Sequence, residues 1–297
     1  MNKNFFSLKL VSNVVIYALL ISISYVYLYP LFKIVSLTFM SQSDIINQEV
    51  DWIPTSFDFG NIKVAYNVLG GWMTIVNSMW VSLLFALAQT FVSALTGFAF
   101  ARYEFRYKKF WFAMVLISFI IPVPVLLAPR IMMFSTFQTT LGVQMFGSII
   151  PQFLMSLTGQ GINSAILILI FFNFFKVIPI SLDEAAKIDG ASSVQILWHI
   201  IIKMSIPAIT IVMLFSFVWN WNETYLTGIF IKDSIALLPM RLSAFDGLFD
   251  ARGGDNLLSE AYKMAATFFS INPLLIIYLF AQKQFIEGIE NTGITGE

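Results

Sequence analysis

The sequence of 297 residues contains no cysteine, one histidine and few charged side chains. Without cysteine the chain cannot form disulfides, thiolate metal sites or a cysteine nucleophile. His199 alone cannot supply the several ligands that a zinc site needs. The 17 basic and 17 acidic residues give a net charge of zero, so nothing indicates a basic surface for nucleic acid. The sequence also lacks the G-x-x-x-x-G-K phosphate loop and the H-E-x-x-H zinc motif, which argues against an ATPase or a zinc peptidase.

What the sequence has in abundance is apolar residues. Hydrophobic residues make up 58% of the chain, charged residues only 11%, and the mean hydropathy is +0.80. An ordinary soluble domain carries about 25% charged residues. The composition therefore predicts an all-α, polytopic membrane protein.

Windows without charged residues locate the membrane spans, because a spanning helix needs about 20 predominantly apolar residues. Six such windows predict six transmembrane helices within one transmembrane domain, residues 10–297. The segment 131–160 contains several glycines and Pro151, and we interpret it as an outer or re-entrant piece. The predicted spans are about 11–36, 75–101, 110–129, 161–178, 206–222 and 264–282.

The distribution of basic residues predicts the orientation. With the N-terminus inside, the short cytoplasmic loops hold ten of the Lys and Arg residues, and the positive-inside rule favours this arrangement. Residues 1–9 are then a cytoplasmic N-terminus, and the C-terminus is also cytoplasmic. The first apolar run is longer than a signal-peptide core and lacks an A-x-A-like cleavage site, so we interpret it as a retained helix. The two large loops, about 40–72 and 223–262, face outward.

One cytoplasmic segment is short and charged, with the sequence ISLDEAAKIDGAS over 180–192. Ser181 and Glu184 fit an S-x-x-E capping box, which predicts a helix start. Gly190 is suited to end that helix in a left-handed conformation. Ser192 and Gln195 fit a second capping box and predict a second helix that returns to the membrane near Pro207. The prediction is a cytoplasmic helix-turn-helix loop over 179–205.

This segment resembles the EAA loop of ATP-binding-cassette importer permeases of the carbohydrate-uptake type, particularly the six-span permeases similar to those of maltose importers. The chain departs from that family at Ile202-Lys203, where a Leu-Pro pair is usual, and at its C-terminal end, Gly293–Glu297. Elsewhere the similar residues are spread over most of the chain: Asn77-Ser78, Ala99-Phe100-Ala101-Arg102, Pro122, Val177-Ile178-Pro179, Trp219-x-Trp221-Asn222-Glu223 and Gln282-x-x-Phe285-x-x-Gly288.

The resemblance implies a function and partners. The chain is expected to be a transport subunit without its own ATPase site, in the cell membrane of a prokaryote. Its expected partners are a second permease subunit, two ATPase subunits that bind ATP and Mg²⁺, and an extracytoplasmic sugar-binding protein; the chain itself is expected to bind no cofactor or metal. The loop, over about 181–200, is expected to dock on the ATPase through Glu184, Ala185, Ala186, Asp189, Gly190, Ala191 and Ser192.

The substrate is expected to be an oligosaccharide, and two alternatives remain. One is an importer of the same type for a solute other than sugar, and the other is a secondary transporter. Secondary transporters usually carry ionisable residues inside the bilayer. The predicted spans hold acidic or basic residues only near their ends, at Lys33 and Lys176. Aromatic and amide side chains at the end of the fifth span could line a sugar route, or they could form an interfacial aromatic belt. These residues are Trp219, Asn220, Trp221, Asn222 and Glu223.

Overall fold

A computed structural model of the chain describes residues 3–47, 49–50, 52–254 and 258–293. Over these residues the fold is helical, and the only β-type pairing is an isolated antiparallel bridge between Met40 and Phe57. The all-α prediction is therefore confirmed. The predicted cytoplasmic ends extend to residues 1–2 and 294–297, which lie outside the described ranges.

The helices follow the chain in this order. They are α1 (Lys3–Phe39), α2 (Gln42–Ile46), α3 (Gly60–Leu69), α4 (Gly71–Arg102), α5 (Lys108–Ile120), α6 (Val123–Leu141), α7 (Ile150–Leu157), α8 (Ser164–Val177), α9 (Ile180–Ile188), α10 (Ser193–Ile196), a π-helical turn (Leu197–Ile201), α11 (Ile202–Met204), α12 (Ile206–Trp221), α13 (Tyr225–Phe230), α14 (Leu238–Ser243), α15 (Phe245–Asp250) and α16 (Ser259–Gly293).

Three helical stretches are each long and apolar enough to cross a membrane: Val11–Phe39, Gly71–Arg102 and Ser259–Lys283. Three further pairs of helices meet the same criterion when each is taken together across a bend. The bends measure 106° between α5 and α6, 71° between α8 and α9, and 82° between Ser193–Met204 and α12. The described chain thus has three to six candidate spans and is a multi-pass membrane protein.

The predicted span 110–129 is not one continuous helix. The helix α5 ends at Ile120, and α6 begins after Pro122. Ile121 is extended, with φ −72° and ψ 120°, because a residue before proline is disfavoured in the α region. The helix α6 then continues to Leu141, so it occupies about a third of the segment 131–160 that was predicted to be outer or re-entrant.

Contacts between Cα atoms divide the chain into two compact units, whereas the sequence was treated as one domain. The first unit consists of Met1–Gly71 and Ala244–Asn272, and the second of Trp72–Ser243 and Pro273–Glu297. In the first unit, Asn61 donates through Nδ2 to the carbonyl oxygens of Thr38 (3.3 Å) and Met40 (2.8 Å) and so fixes the end of α1 against α3.

The core of the second unit holds the loop in place. The side chains of Phe98 on α4, Phe171 and Phe175 on α8 and Val212 on α12 are buried in one cluster, together with Ile196 and Ile201 from the loop. Gly97 allows α4 and α8 to approach closely, because a Cβ atom added there would lie 2.7 Å from Cβ of Phe171. The loop is thus packed on the ends of the long helices.

Candidate functional site: an exposed helix-turn-helix loop and a buried polar network

The first helix of the loop, α9, begins two residues earlier than predicted. Its N-cap is Pro179, which makes no side-chain capping bond, and Ser181 is already inside the helix. The predicted capping box between Ser181 and Glu184 is therefore wrong. The physical reason is the Ile178-Pro179 pair, which holds Ile178 extended (ψ 126°) and fixes φ of Pro179 at −56°, so that helix starts directly after the proline.

The turn between the two helices of the loop is as predicted. Gly190 has φ +84°, and the N–H groups of Gly190 and Ala191 donate to the carbonyl oxygens of Lys187 (3.0 Å) and Ala186 (2.9 Å). These two bonds form a Schellman motif, which satisfies carbonyl groups at the end of α9. The capping box of Ser192 and Gln195 is also confirmed, with N–H to side-chain oxygen distances of 2.8 and 3.3 Å.

Replacement of Gly190 by valine is expected to destabilise the loop by about 1–3 kcal/mol, because a branched residue resists a positive φ. An added Cβ meets nothing within 4 Å, so the cost lies in the backbone alone. Gly190→Asn is the matched control, since asparagine tolerates this conformation. Recovery and thermal unfolding of the purified complex measure the effect. Equal stability of the valine and asparagine variants would show that the turn does not depend on glycine.

The structure separates the predicted coupling residues into two groups. The side chains of Ala186 and Ala191 pack against the core cluster. The others are exposed: Glu184, Ala185, Asp189, Gly190 and Ser192. Large apolar side chains lie exposed beside them, with Ile188 87% exposed, Val194 64% and Trp198 50%. Exposed apolar clusters with a polar rim are typical of protein interaction sites.

A buried ion pair attaches the loop to α4, and the sequence analysis missed it. Nε of Arg102 lies 3.4 Å from Oδ2 of Asp183, and the two side chains are only 5% and 6% exposed. Arg102 also donates through Nη2 to the carbonyl oxygen of Ile178 at 2.8 Å. The sequence places Asp183 beside Glu184 in a charged string, and no spacing rule indicates that the first acid is buried while the second is exposed.

The residues predicted to line a sugar route differ in their exposure. Trp221 is buried, whereas Trp219 is half-buried and stacks on Phe215 with ring centroids 5.5 Å apart. Asn222 is exposed, and its Nδ2 donates to the carbonyl oxygen of Val218. The five residues thus differ in exposure, and their role as a sugar route or as an interfacial belt stays a prediction.

Glu223 directly follows the fifth span and is half-buried. Burial raises the pKa of its carboxyl group, while the hydrogen bond from the N–H of Leu226 to Oε1, at 2.6 Å, acts in the opposite direction. Glu223 lines a small cavity together with Gln152, Asn220 and Trp221. The cavity has a volume of about 10 Å³, which is about the size of one water molecule.

Gln89, in the middle of α4, is the centre of a polar network that the sequence analysis also missed. Its side chain is fully buried. Nε2 donates to the carbonyl oxygen of Ile162 (2.9 Å) and to Oγ of Ser164 (3.1 Å). Oε1 accepts from Oγ of Ser216 (2.7 Å) and Nδ2 of Asn220 (2.5 Å). The network joins α4 to α12 and to the start of α8. In the sequence, the signal for this network is the presence of a glutamine inside a predicted span.

Comparison with known proteins gives a consistent picture. Residues 89–290 match the family described as binding-protein-dependent transport system inner membrane component. The polygalacturonan/rhamnogalacturonan transport system permease protein of Bacillus subtilis is 25% identical over 288 residues, 93% of this chain and 95% of that protein. The diacetylchitobiose uptake system permease protein of Streptomyces coelicolor is 25% identical over 270 residues, covering 90% and 92% of the two chains.

A third relative, the maltodextrin transport system permease protein of Streptococcus pneumoniae, is 24% identical over 284 residues and covers 94% of each chain. Among solved structures, a chain of a bacterial ABC transporter involved in the import of the acidic polysaccharide alginate superposes with a TM-score of 0.72. That superposition covers 96% of this chain and 99% of the other at 21% identity, and it shows a common fold.

Proposed function

The chain belongs to the family of binding-protein-dependent transport system inner membrane components, and from this premise we propose that it is a permease subunit of an ATP-binding-cassette importer for an oligosaccharide. The names of the three relatives support the substrate class, since each refers to the transport of a saccharide. Their substrates differ from one another, so the proposal extends to the class of substrate and no further.

The observation that carries the proposal is the exposed helix-turn-helix. It presents a carboxylate, Glu184, among the exposed apolar side chains of Ile188, Val194 and Trp198. Isolated helices as short as α9 and α10 are marginal in water, and exposed apolar groups of this size favour a protein partner. We propose that this partner is a cytoplasmic ATPase subunit, which would bind ATP and Mg²⁺ and hydrolyse the ATP.

The geometry also suggests how movement of the ATPase reaches the membrane. The helix α9 is connected to the end of α4 by the pair Arg102–Asp183 and by the bond from Arg102 to Ile178. A displacement of α9 would therefore move α4 with it, because breaking a buried ion pair costs several kcal/mol. In this mechanism α4 transmits the displacement to the buried network around Gln89.

The remaining partners follow from the type of importer. We propose that a second, similar permease completes the pathway, that two ATPase subunits bind on the cytoplasmic side, and that an extracytoplasmic binding protein delivers the sugar. In the proposed orientation both termini are cytoplasmic, and the outward loops of about 40–72 and 223–262 receive the binding protein.

The test of the proposed function is Glu184→Gln in the complete complex, assayed for sugar uptake and for ATPase activity stimulated by the binding protein. Glu184 makes no capping bond, so glutamine removes the charge and keeps both the shape and the helix propensity. Charge-assisted hydrogen bonds exceed neutral ones by about 1 kcal/mol. Stimulated activity is therefore expected to fall about fivefold.

The matched control is Glu104→Gln, which removes another exposed acid whose partner is Lys108 four residues later. This variant is expected to keep full activity, because exposed ion pairs contribute little. Unchanged stimulated ATPase activity in Glu184→Gln would contradict docking through this carboxylate. Sugar uptake by the chain alone, without an ATPase partner, would contradict the proposed function as a whole.

A further inference from the structure

Arg130, in the second turn of α6, lies beside a cavity that the transport mechanism does not use. In the part of the chain that the structure describes, no carboxylate oxygen lies within 4.0 Å of its guanidinium group. Its hydrogen bond is from Nη2 to the carbonyl oxygen of Gln160, at 3.2 Å. A guanidinium group has five N–H donors, so most of its capacity is open to a ligand.

The cavity has a volume of about 250 Å³ and is lined by both polar and apolar residues. Its lining includes Arg130, Ser118, Gln160 and Asn163, and residues 161–165 at the start of α8. The N-terminal end of a helix carries a partial positive charge. Charge complementarity therefore favours an anionic group, and guanidinium pairs readily with phosphate or carboxylate oxygens.

A second, apolar cavity adjoins the same arginine. It has a volume of about 520 Å³ and is lined by Met133, Phe134, Phe137, Leu154 and Met155. Leu126, Arg130 and Gln160 line both cavities. Met133 and Phe137 are 42% and 39% exposed, so this cavity opens at the surface of α6. A ligand that fills both spaces has an anionic head and a long apolar tail.

We propose that this composite cavity binds an anionic phospholipid, with the phosphate at Arg130 and an acyl chain beside Met133 and Phe137. A guanidinium group such as that of Arg130 forms charge-assisted hydrogen bonds with the phosphate oxygens of a lipid head group. An acidic sugar also carries an anionic group that could bind Arg130. However, a sugar has no long apolar part to fill the second cavity, which has about twice the volume of the first. The acyl-chain cavity is thus the observation that selects the lipid.

The experiment is native mass spectrometry of the complete importer complex titrated with phosphatidylglycerol, and separately with phosphatidylcholine. Arg130→Gln removes the positive charge, and Met133→Trp fills the apolar cavity without changing the charge. Each variant is expected to weaken the binding of one phosphatidylglycerol molecule about tenfold or more. Arg130→Gln removes charge-assisted hydrogen bonds to the phosphate, and Met133→Trp removes the space for the acyl chain. The control Arg106→Gln removes an exposed arginine stacked on Tyr107 and should leave binding unchanged.

A second measurement avoids variants altogether. A photoreactive phosphatidylglycerol with the reactive group in its acyl chain is expected to cross-link the wild-type complex within residues 129–137 or 154–155. Cross-links elsewhere, equal affinity of Arg130→Gln and wild type, or equal binding of phosphatidylcholine would overturn the proposal. Displacement of the lipid by an acidic oligosaccharide such as trigalacturonate would assign the cavity to the transported sugar instead and would also overturn it.

Discussion

Asp183→Ala is expected to destabilise the complex by about 3–5 kcal/mol, the cost of leaving one member of a buried ion pair without its partner. Arg102 would keep only its bond to the carbonyl oxygen of Ile178. At 5% exposure its guanidinium group cannot be solvated by water in place of the carboxylate. The measurement is thermal unfolding of the purified complex, together with its recovery from membranes.

Two controls distinguish the ion pair from a general effect on the loop. Lys187→Ala removes an exposed charge from the same helix and is expected to change stability by less than about 0.5 kcal/mol. The double variant Arg102→Met with Asp183→Leu replaces both charges by apolar groups and should recover most of the lost stability, since a buried pair can often be replaced in this way. If Asp183→Ala unfolds at the wild-type temperature, the pair does not fix α9 to α4.

Gln89→Leu is expected to lower stability by about 2–4 kcal/mol, because it leaves four hydrogen-bonding partners without Gln89. Leucine has a similar volume, so loss of packing contributes little. Gly161→Ala should have a comparable effect, since a Cβ atom at 161 would lie 2.3 Å from Nε2 of Gln89 and displace its side chain. Thermal unfolding of the complex measures both variants.

The matched control for the network is Thr90→Val at the next position of α4. Thr90 is also buried, but its side-chain bond is a single long contact of 3.6 Å from Oγ1 to Sδ of Met213. The expected loss is below about 1 kcal/mol. Equal effects of Gln89→Leu and Thr90→Val would show that the network adds no more than an ordinary buried hydroxyl group.

Local sequence rules predicted part of the loop correctly. The glycine turn at 190 and the capping box of Ser192 and Gln195 depend only on residues within a few positions of each other. The box predicted at Ser181 was wrong because Pro179 begins the helix earlier and places the serine inside it. A second proline, Pro122, divided a predicted span for the same local reason.

The long-range features could not be read from the sequence in the same way. Asp183 and Glu184 are adjacent acids, and their different burial arises from the packing of α9 against the end of α4. Gln89 meets Asn220, 131 positions away, only after α4 and α12 have packed together. Trp221 and Asn222 are adjacent and were predicted to line the same route. At the end of α12, however, Trp221 is buried and Asn222 is exposed.

The central claim is that the exposed loop contacts the ATPase, and cross-linking tests it most directly. The chain has no cysteine, so Ala185→Cys introduces a single exposed thiol in α9. A reagent that combines a maleimide with a photoreactive group can then be attached in the assembled complex. We predict a cross-link from residue 185 to the ATPase subunit, and none from Ser56→Cys in the loop 40–72 that we propose to face outward. A complex that copurifies and transports sugar, yet yields no ATPase cross-link from residue 185, would contradict the account.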